Sequence, residues 1–276
     1  MDSPFSTRPS TPTVVRALIL INVLAYFLYL FADEQGATEI LALHNWLSPY
    51  FKPWQLITGM FLHSTSSLFH LFFNMLALWM FGSAMEMRWG PQRFLAYYLI
   101  CGIGASVLHN TVVAFQLQPM LVEANVYLSA PGYTSFEAFI SNHLPGSYNN
   151  TQLNEFLVAW YNDRLNPGYI NESISLVNEV VDFRTNMPTV GASGAVYGLL
   201  LAFGMTFPNA MILLLIPPIP LKAKYLVVVY GLIELSMGLR NNLEDNVAHF
   251  AHLGGMLFGV LLILYYRKQD GNRYVN

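Results

Sequence analysis

The chain has 276 residues, of which 54% are hydrophobic and 11% charged, with a formal net charge of −3 and a mean hydropathy of +0.42. Such a composition excludes an ordinary soluble domain, and a small net charge without a basic cluster excludes a nucleic-acid partner. The single cysteine, Cys101, excludes an internal disulfide and a multi-cysteine metal centre.

The chain therefore reads as an all-α polytopic membrane protein whose partner is the lipid bilayer, with no metal or cofactor implied. Residues 1–12 form a polar, proline-rich lead without readable structure. Six apolar runs have roughly the length that spans a bilayer, at about 13–32, 66–86, 92–116, 190–208, 222–239 and 247–266. The first is too long for a signal-peptide core and lacks a cleavage site, so it is expected to be retained. Between the first two runs, the segment 33–59 carries Trp46, Tyr50, Phe51 and Trp54, aromatic residues suited to the membrane interface.

The second run holds His70 and Asn74, one helical turn apart on one face. Polar groups at this depth normally face a partner or a water-filled cavity. Glu86 and Arg88, at the far end of the same run, are assigned to structure. The segment 117–188 is polar and too long for a structureless loop. It is expected to form a small, mostly helical insertion, with a capping box at Thr134 to Glu137 and helical apolar spacing over 151–165 and 172–183. Its role is either to stabilise or to act as a lid or substrate dock.

The fourth run opens with Gly191-Ala192-Ser193-Gly194-Ala195-Val196-Tyr197-Gly198. Gly194 and Gly198 form a face on which another helix can pack closely. The short apolar stretch Met211 to Ile216, stopped by Pro217 and Pro218, cannot span as a helix and is expected to be an extended or re-entrant connector. The fifth run carries Glu234 near its middle, a functional candidate by position that is read here as a hydrogen-bonded structural carboxyl. The sixth begins with His249 and His252, followed by Gly255 and Gly259, a second small-residue face that can meet the first.

Orientation follows from the basic residues. With the amino terminus inside, nine of the 13 Lys and Arg fall on the inner side and four on the outer, so both termini are expected to be cytoplasmic, in a plasma or inner membrane. The second, fourth and sixth runs then all enter from outside. His70, Ser193 and His252 lie a few residues below that surface, on the order of 10 Å deep at 1.5 Å per residue. A hydroxyl, an imidazole able to act as base and two further donors at one level are the parts of an acyl-transfer site.

With these elements in place, the chain resembles the rhomboid intramembrane serine proteases. The resemblance rests on His70-x-x-x-Asn74, on Gly191-x-Ser193-Gly194 followed by Tyr197 and Gly198, and on Ala251-His252-x-x-Gly255-x-x-x-Gly259, in six helices taken in order. It covers nearly everything outside 117–188. It implies a six-helix rhomboid-like bundle, with 13–116 supplying helices 1–3 and 189–276 supplying helices 4–6 and a short tail. It implies Ser193 as nucleophile, His252 as general base and acid, and an oxyanion hole from His70, Asn74 and the Ser193 N–H. Tyr197 would stack on the His252 ring, and Gly194, Gly198, Gly255 and Gly259 would support the dyad. The implied substrates are transmembrane helices of other proteins, cut near the outer leaflet.

His249 rivals His252 as base, but only His252 has glycines three and seven positions later. Two features depart from the family pattern: the insertion itself, and His63, which precedes His70 by more residues than the family loop suggests. Two other functions would leave different marks on the sequence. A catalytically silent relative that only binds membrane helices should lack Ser193 or His252. A transporter built around Glu234 should show repeated halves with broken helices.

Overall fold

The structure is a computed structural model that describes residues 11–32, 34–144, 151–213, 218–240 and 247–273. Of the lead expected over 1–12, only Thr11 and Pro12 are among them. The helices in chain order are α1 (Thr13–Phe31), α2 (Glu34–Leu41), α3 (Gln55–Thr58), α4 (Leu68–Ala77), α5 (Ser83–Trp89), α6 (Pro91–Ser129), α7 (Tyr133–His143), α8 (Thr151–Asn162), α9 (Pro167–Asn186), α10 (Ser193–Thr206), α11 (Ala223–Arg240) and α12 (His249–Arg273). A 3₁₀ turn, Gly59–Phe61, follows α3, and a π turn, Leu78–Gly82, joins α4 to α5 in one rod. Two short strands, β1 (Met211–Leu213) and β2 (Pro220–Lys222), pair antiparallel with Ile212 opposite Leu221. The connector after α10 is thus extended where it is described.

Among the described residues, four helices are long and apolar enough to cross a membrane: Thr13–Phe31, Leu68–Trp89, Pro91–Ser129 and His249–Gly271. The six spans expected from apolar runs reduce to four on this criterion. α10 has only 14 residues, about 21 Å of rise. α11 has 18 but carries Lys224, Glu234 and Arg240.

The described residues separate into two compact units, one from those within 11–44, 50–112 and 188–273, the other from those within 45–49 and 113–187. In the first, α10 is buried along nearly its whole length, from Gly194 to Gly204. Large apolar side chains point outward instead, Phe31, Leu28, Phe69 and Leu239 among them. That inversion suits lipid, which is as apolar as leucine and leaves helix association to close packing. Gly194 and Gly255 provide it. A β-carbon on Gly255 would lie 1.8 Å from the Gly194 carbonyl oxygen, and one on Gly194 would lie 2.4 Å from Ala105 Cβ of α6. α10 and α12 therefore touch backbone to backbone.

The segment after α2 is held by buried Gln55. Its Oε1 accepts from the N–H groups of His44 (3.3 Å) and Lys52 (3.0 Å), and its Nε2 donates to the carbonyls of Glu39 (2.9 Å) and Tyr50 (3.0 Å). One side chain thus organises a stretch that the sequence marked only by its aromatic residues.

In the second unit, α6 runs on to Ser129, through Pro119, where the sequence reading ended the third run near Gln116. Hydropathy falls there while the helical period persists. Leu117, Met120, Ala124 and Tyr127, spaced three, four and three apart, form one buried face against Phe136, Phe139, Trp160 and Val177. The capping box expected at Thr134 to Glu137 is not formed: Gly132 is the N-cap of α7, and Ser135 Oγ donates to its carbonyl. α9 has the start signal that sequence rules describe, Asn166 accepting from the Gly168 N–H at 2.9 Å with Pro167 following.

Glu86, assigned from sequence to structure, caps α1. Pro12 offers α1 no side-chain cap, and the Glu86 carboxylate accepts from the N–H groups of Val14 (3.0 Å) and Val15 (2.8 Å). A buried carboxylate meets two orphan amides and the positive end of the helix dipole. Glu86→Ala should lower stability by about 1–3 kcal/mol, measured as a lower unfolding temperature in detergent; an unchanged transition would refute the cap.

Candidate active site

Ser193 is placed by the backbone before it. Leu43 and Thr189 exchange N–H to O bonds of 3.0 and 2.8 Å, the Gly191 N–H donates to the Gly59 carbonyl at 3.0 Å, and His109 Nε2 lies 3.0 Å from Thr189 Oγ1. Gly191 then turns the chain with φ +133°, a conformation side chains resist. The first intrahelical bond of α10 runs from Val196 N–H to the Ala192 carbonyl, so the N–H groups of Ser193, Gly194 and Ala195 precede the ladder.

α12 brings His252 to this helix start. Its Nε2 is 2.8 Å from Ser193 Oγ, and the Tyr197 ring stacks on the imidazole with centroids 4.1 Å apart and planes within 6°. His252 is buried. The backbone contact at Gly194 and Gly255 sets this reach. Gly198 sits against Cys101 and the Gly255 carbonyl. Gly259 has a different neighbour from the one its spacing suggested: it leaves room for the hydroxyl of Tyr97, which donates to the Gly198 carbonyl at 2.8 Å.

The His70 imidazole and Ser193 Oγ both border Gly191. A β-carbon there would lie 3.0 Å from His70 Nε2 and 3.6 Å from Ser193 Oγ. Asn74, on the turn below, donates through Nδ2 to the His70 carbonyl at 2.8 Å. A cavity of about 30 Å³, lined by Gly59, Ser106, Gly191, Ser193 and Gly194 among others, reaches Ser193 and has room for a water or two.

From its place in an apolar run alone, Glu234 is expected to be a structural carboxyl outside this chemistry. In the structure the Glu234 carboxylate accepts from the Tyr197 hydroxyl through Oε1, and its Oε2 lies 2.6 Å from His249 Nδ1 and 2.9 Å from His252 Nδ1. The last contact is off the line of a hydrogen bond, so it is electrostatic first. His249 thus meets the carboxylate, whereas Nε2 of His252 meets the serine. A carboxyl inside an apolar run was the available signal; which residues it met depended on how α11 packs on α12.

Glu234, His249 and His252 offer three potential metal-ligand atoms within 4.8 Å of one another. Separations of 2.6 and 2.9 Å are those of direct polar contacts, and the cluster would have to open to seat an ion with bonds of about 2.0–2.2 Å to each ligand.

The rhomboid domain model matches the chain over residues 50–122 and 169–269, more than half its length. The unmatched stretch between them lies within the expected insertion. A curated relative, the rhomboid protease GluP of Bacillus subtilis (strain 168), is 37% identical over 100 residues, 35% of this chain and 19% of that protein. Another, the rhomboid protease AarA of Providencia stuartii, is 26% identical over 265 residues, 90% of this chain and 70% of that one. The chain thus matches only about a fifth of the first relative's length and most of the second's.

His63 lies outside the helices, fully buried, its ring 5.2 Å from that of His70. Burial above all, and then the nearby His70 charge, lower its pKa to about 4. The folded state thus favours the neutral ring. Stability from this group is complete above about pH 6.5 and is lost as pH falls towards 4. Thermal unfolding between pH 7 and 4.5 should show this loss, and His63→Gln should reduce it; an equal pH dependence in the variant would refute the assignment.

Proposed function

The chain belongs to the rhomboid family, and we propose that it is an intramembrane serine endopeptidase working through a Ser193–His252 dyad. The observation that carries this reading is the 2.8 Å contact between Ser193 Oγ and His252 Nε2 at the start of a buried helix. His252 takes the hydroxyl proton as Ser193 Oγ attacks a substrate carbonyl carbon. The tetrahedral intermediate collapses, the peptide C–N bond breaks, and His252 returns the proton to the leaving amine. Water, deprotonated by the same imidazole, then hydrolyses the acyl-serine and restores the hydroxyl.

The negative oxygen of the intermediate falls to the Ser193 N–H at the positive end of α10, with His70 and Asn74 as side-chain donors. Stacking on Tyr197 holds the imidazole in its attacking plane. The substrate is the upper end of a transmembrane helix in another protein. Its backbone must unwind to expose a carbonyl, which favours small and helix-breaking residues near the cut.

In this reading α10 and α11 complete a six-helix bundle with the four long apolar helices. α10 is short because it starts at depth, below the outer surface. Both termini face the cytoplasm, and the helical segment 117–188 is an insertion on the outer side.

The test is reconstitution in liposomes with a single-helix substrate. Ser193→Ala and His252→Ala should reduce cleavage to background, and Asn74→Ala should cost about 10² to 10³ in rate. Cleavage by all three at the wild-type rate would sink the mechanism. His249→Ala should retain measurable turnover; a loss as complete as in His252→Ala, in folded protein, would reassign the base.

A further inference from the structure

We propose that Glu234 is the third member of the catalytic relay, a positioning carboxylate that fixes the His252 tautomer and balances the charge the ring gains during attack. The inference rests on the serine-protease reading above and deepens it. For Nε2 to accept the Ser193 proton, the ring must carry its own proton on Nδ1. That nitrogen faces Glu234 Oε2 at 2.9 Å. The contact is off-line in the free protein, and catalytic hydrogen bonds commonly align only once substrate is bound.

The carboxylate is itself held from several sides. Oε1 accepts from the Tyr197 hydroxyl, and Oε2 lies 2.6 Å from His249 Nδ1. Tyr197 therefore has a double part: its ring stacks on His252 while its hydroxyl anchors the group that faces His252. Glu234, His249 and His252 are each at most 7% exposed. A carboxylate so enclosed persists only with donors around it, and α10 and α12 both supply them.

The step balances simply. The proton moves from Ser193 Oγ to Nε2 and the ring becomes an imidazolium whose charge lies beside Oε2, 2.9 Å from Nδ1. The carboxylate takes no proton, and the return of the proton to the amine restores the neutral ring. His249 shares the same oxygen and keeps Glu234 from turning away.

The experiment measures fluorophosphonate labelling of Ser193 and kcat and KM for a single-helix substrate in the wild type, Glu234→Gln, Glu234→Asp and Ser193→Ala. Glu234→Gln keeps length and loses charge; it should lower kcat and the labelling rate by about 10²-fold or more, with KM within about threefold. Glu234→Asp keeps charge and should fall between wild type and Gln. A spacer or packing role predicts the reverse order, because Gln fills the site better than Asp, and that order would overturn the proposal. Equal activity of Gln and wild type would overturn it too. Loss of activity on chelation by EDTA, restored by Zn²⁺, would replace the relay with a metal site.

Should Glu234→Gln fail to fold, Tyr197→Phe carries the test, since it keeps the stacked ring and removes only the hydroxyl on Oε1. About tenfold slower labelling is expected, and a wild-type rate would overturn the proposal. Ser193→Ala separates the two levels. If wild-type Ser193 itself does not label, the dyad reading fails; if it labels and the Glu234 variants match it, only the relay fails.

Discussion

The site depends on one steric fact, the direct backbone contact between α10 and α12. With 1.8 Å between a would-be β-carbon on Gly255 and the Gly194 carbonyl, no side chain fits between the helices. In lipid there is no hydrophobic drive to bring two apolar helices together, so closeness of this kind comes from small residues and the dispersion they permit. The same contact sets how far the His252 imidazole must reach. Ser193 and His252 sit just before the two glycines on their helices, and the short separation of the helix axes becomes a 2.8 Å separation of Oγ and Nε2.

The buried carboxylates reveal a second constraint. Glu86 and Glu234 are each about 5% exposed, an arrangement that apolar surroundings penalise unless donors converge on the charge. Glu86 finds them in the free amides at the start of α1, 71 residues away or more. Glu234 finds the Tyr197 hydroxyl and His249 Nδ1, with His252 Nδ1 in electrostatic contact at 2.9 Å. In the first case the charge closes a helix end. In the second it lies against the ring that contacts the serine.

The segment ahead of Ser193 shows how loops take part. Paired bonds between Leu43 and Thr189, and the Gly191 N–H on the Gly59 carbonyl, tie the stretch before α10 to the segment that Gln55 organises. The absence of a β-carbon at Gly191, whose positive φ glycine adopts readily, leaves room for the His70 ring beside Ser193 Oγ. None of these bonds belongs to a regular ladder, and each is made between residues far apart in the chain.

Some of this was legible in the residues themselves. Composition alone indicated a membrane chain, because apolar content is a sum that needs no geometry. The one-turn spacing of His70 and Asn74, and the glycine spacings after Ser193 and His252, follow from the 3.6-residue period. The end of α6 was misread because hydropathy fell after Gln116 while the period continued through Leu117, Met120 and Ala124. The capping box at Thr134 was misread because α7 already starts at Tyr133 with Gly132 as its N-cap, which puts Thr134 inside the helix. Glu234 could be seen as an anomaly, a charge in an apolar run, but not as a neighbour of His252. Sequence determines such local facts, since period, composition and turn chemistry act within a few residues. Which helix faces meet, and hence which side chains a buried carboxylate touches, is decided only by tertiary packing, because that contact joins positions with no fixed relation along the chain.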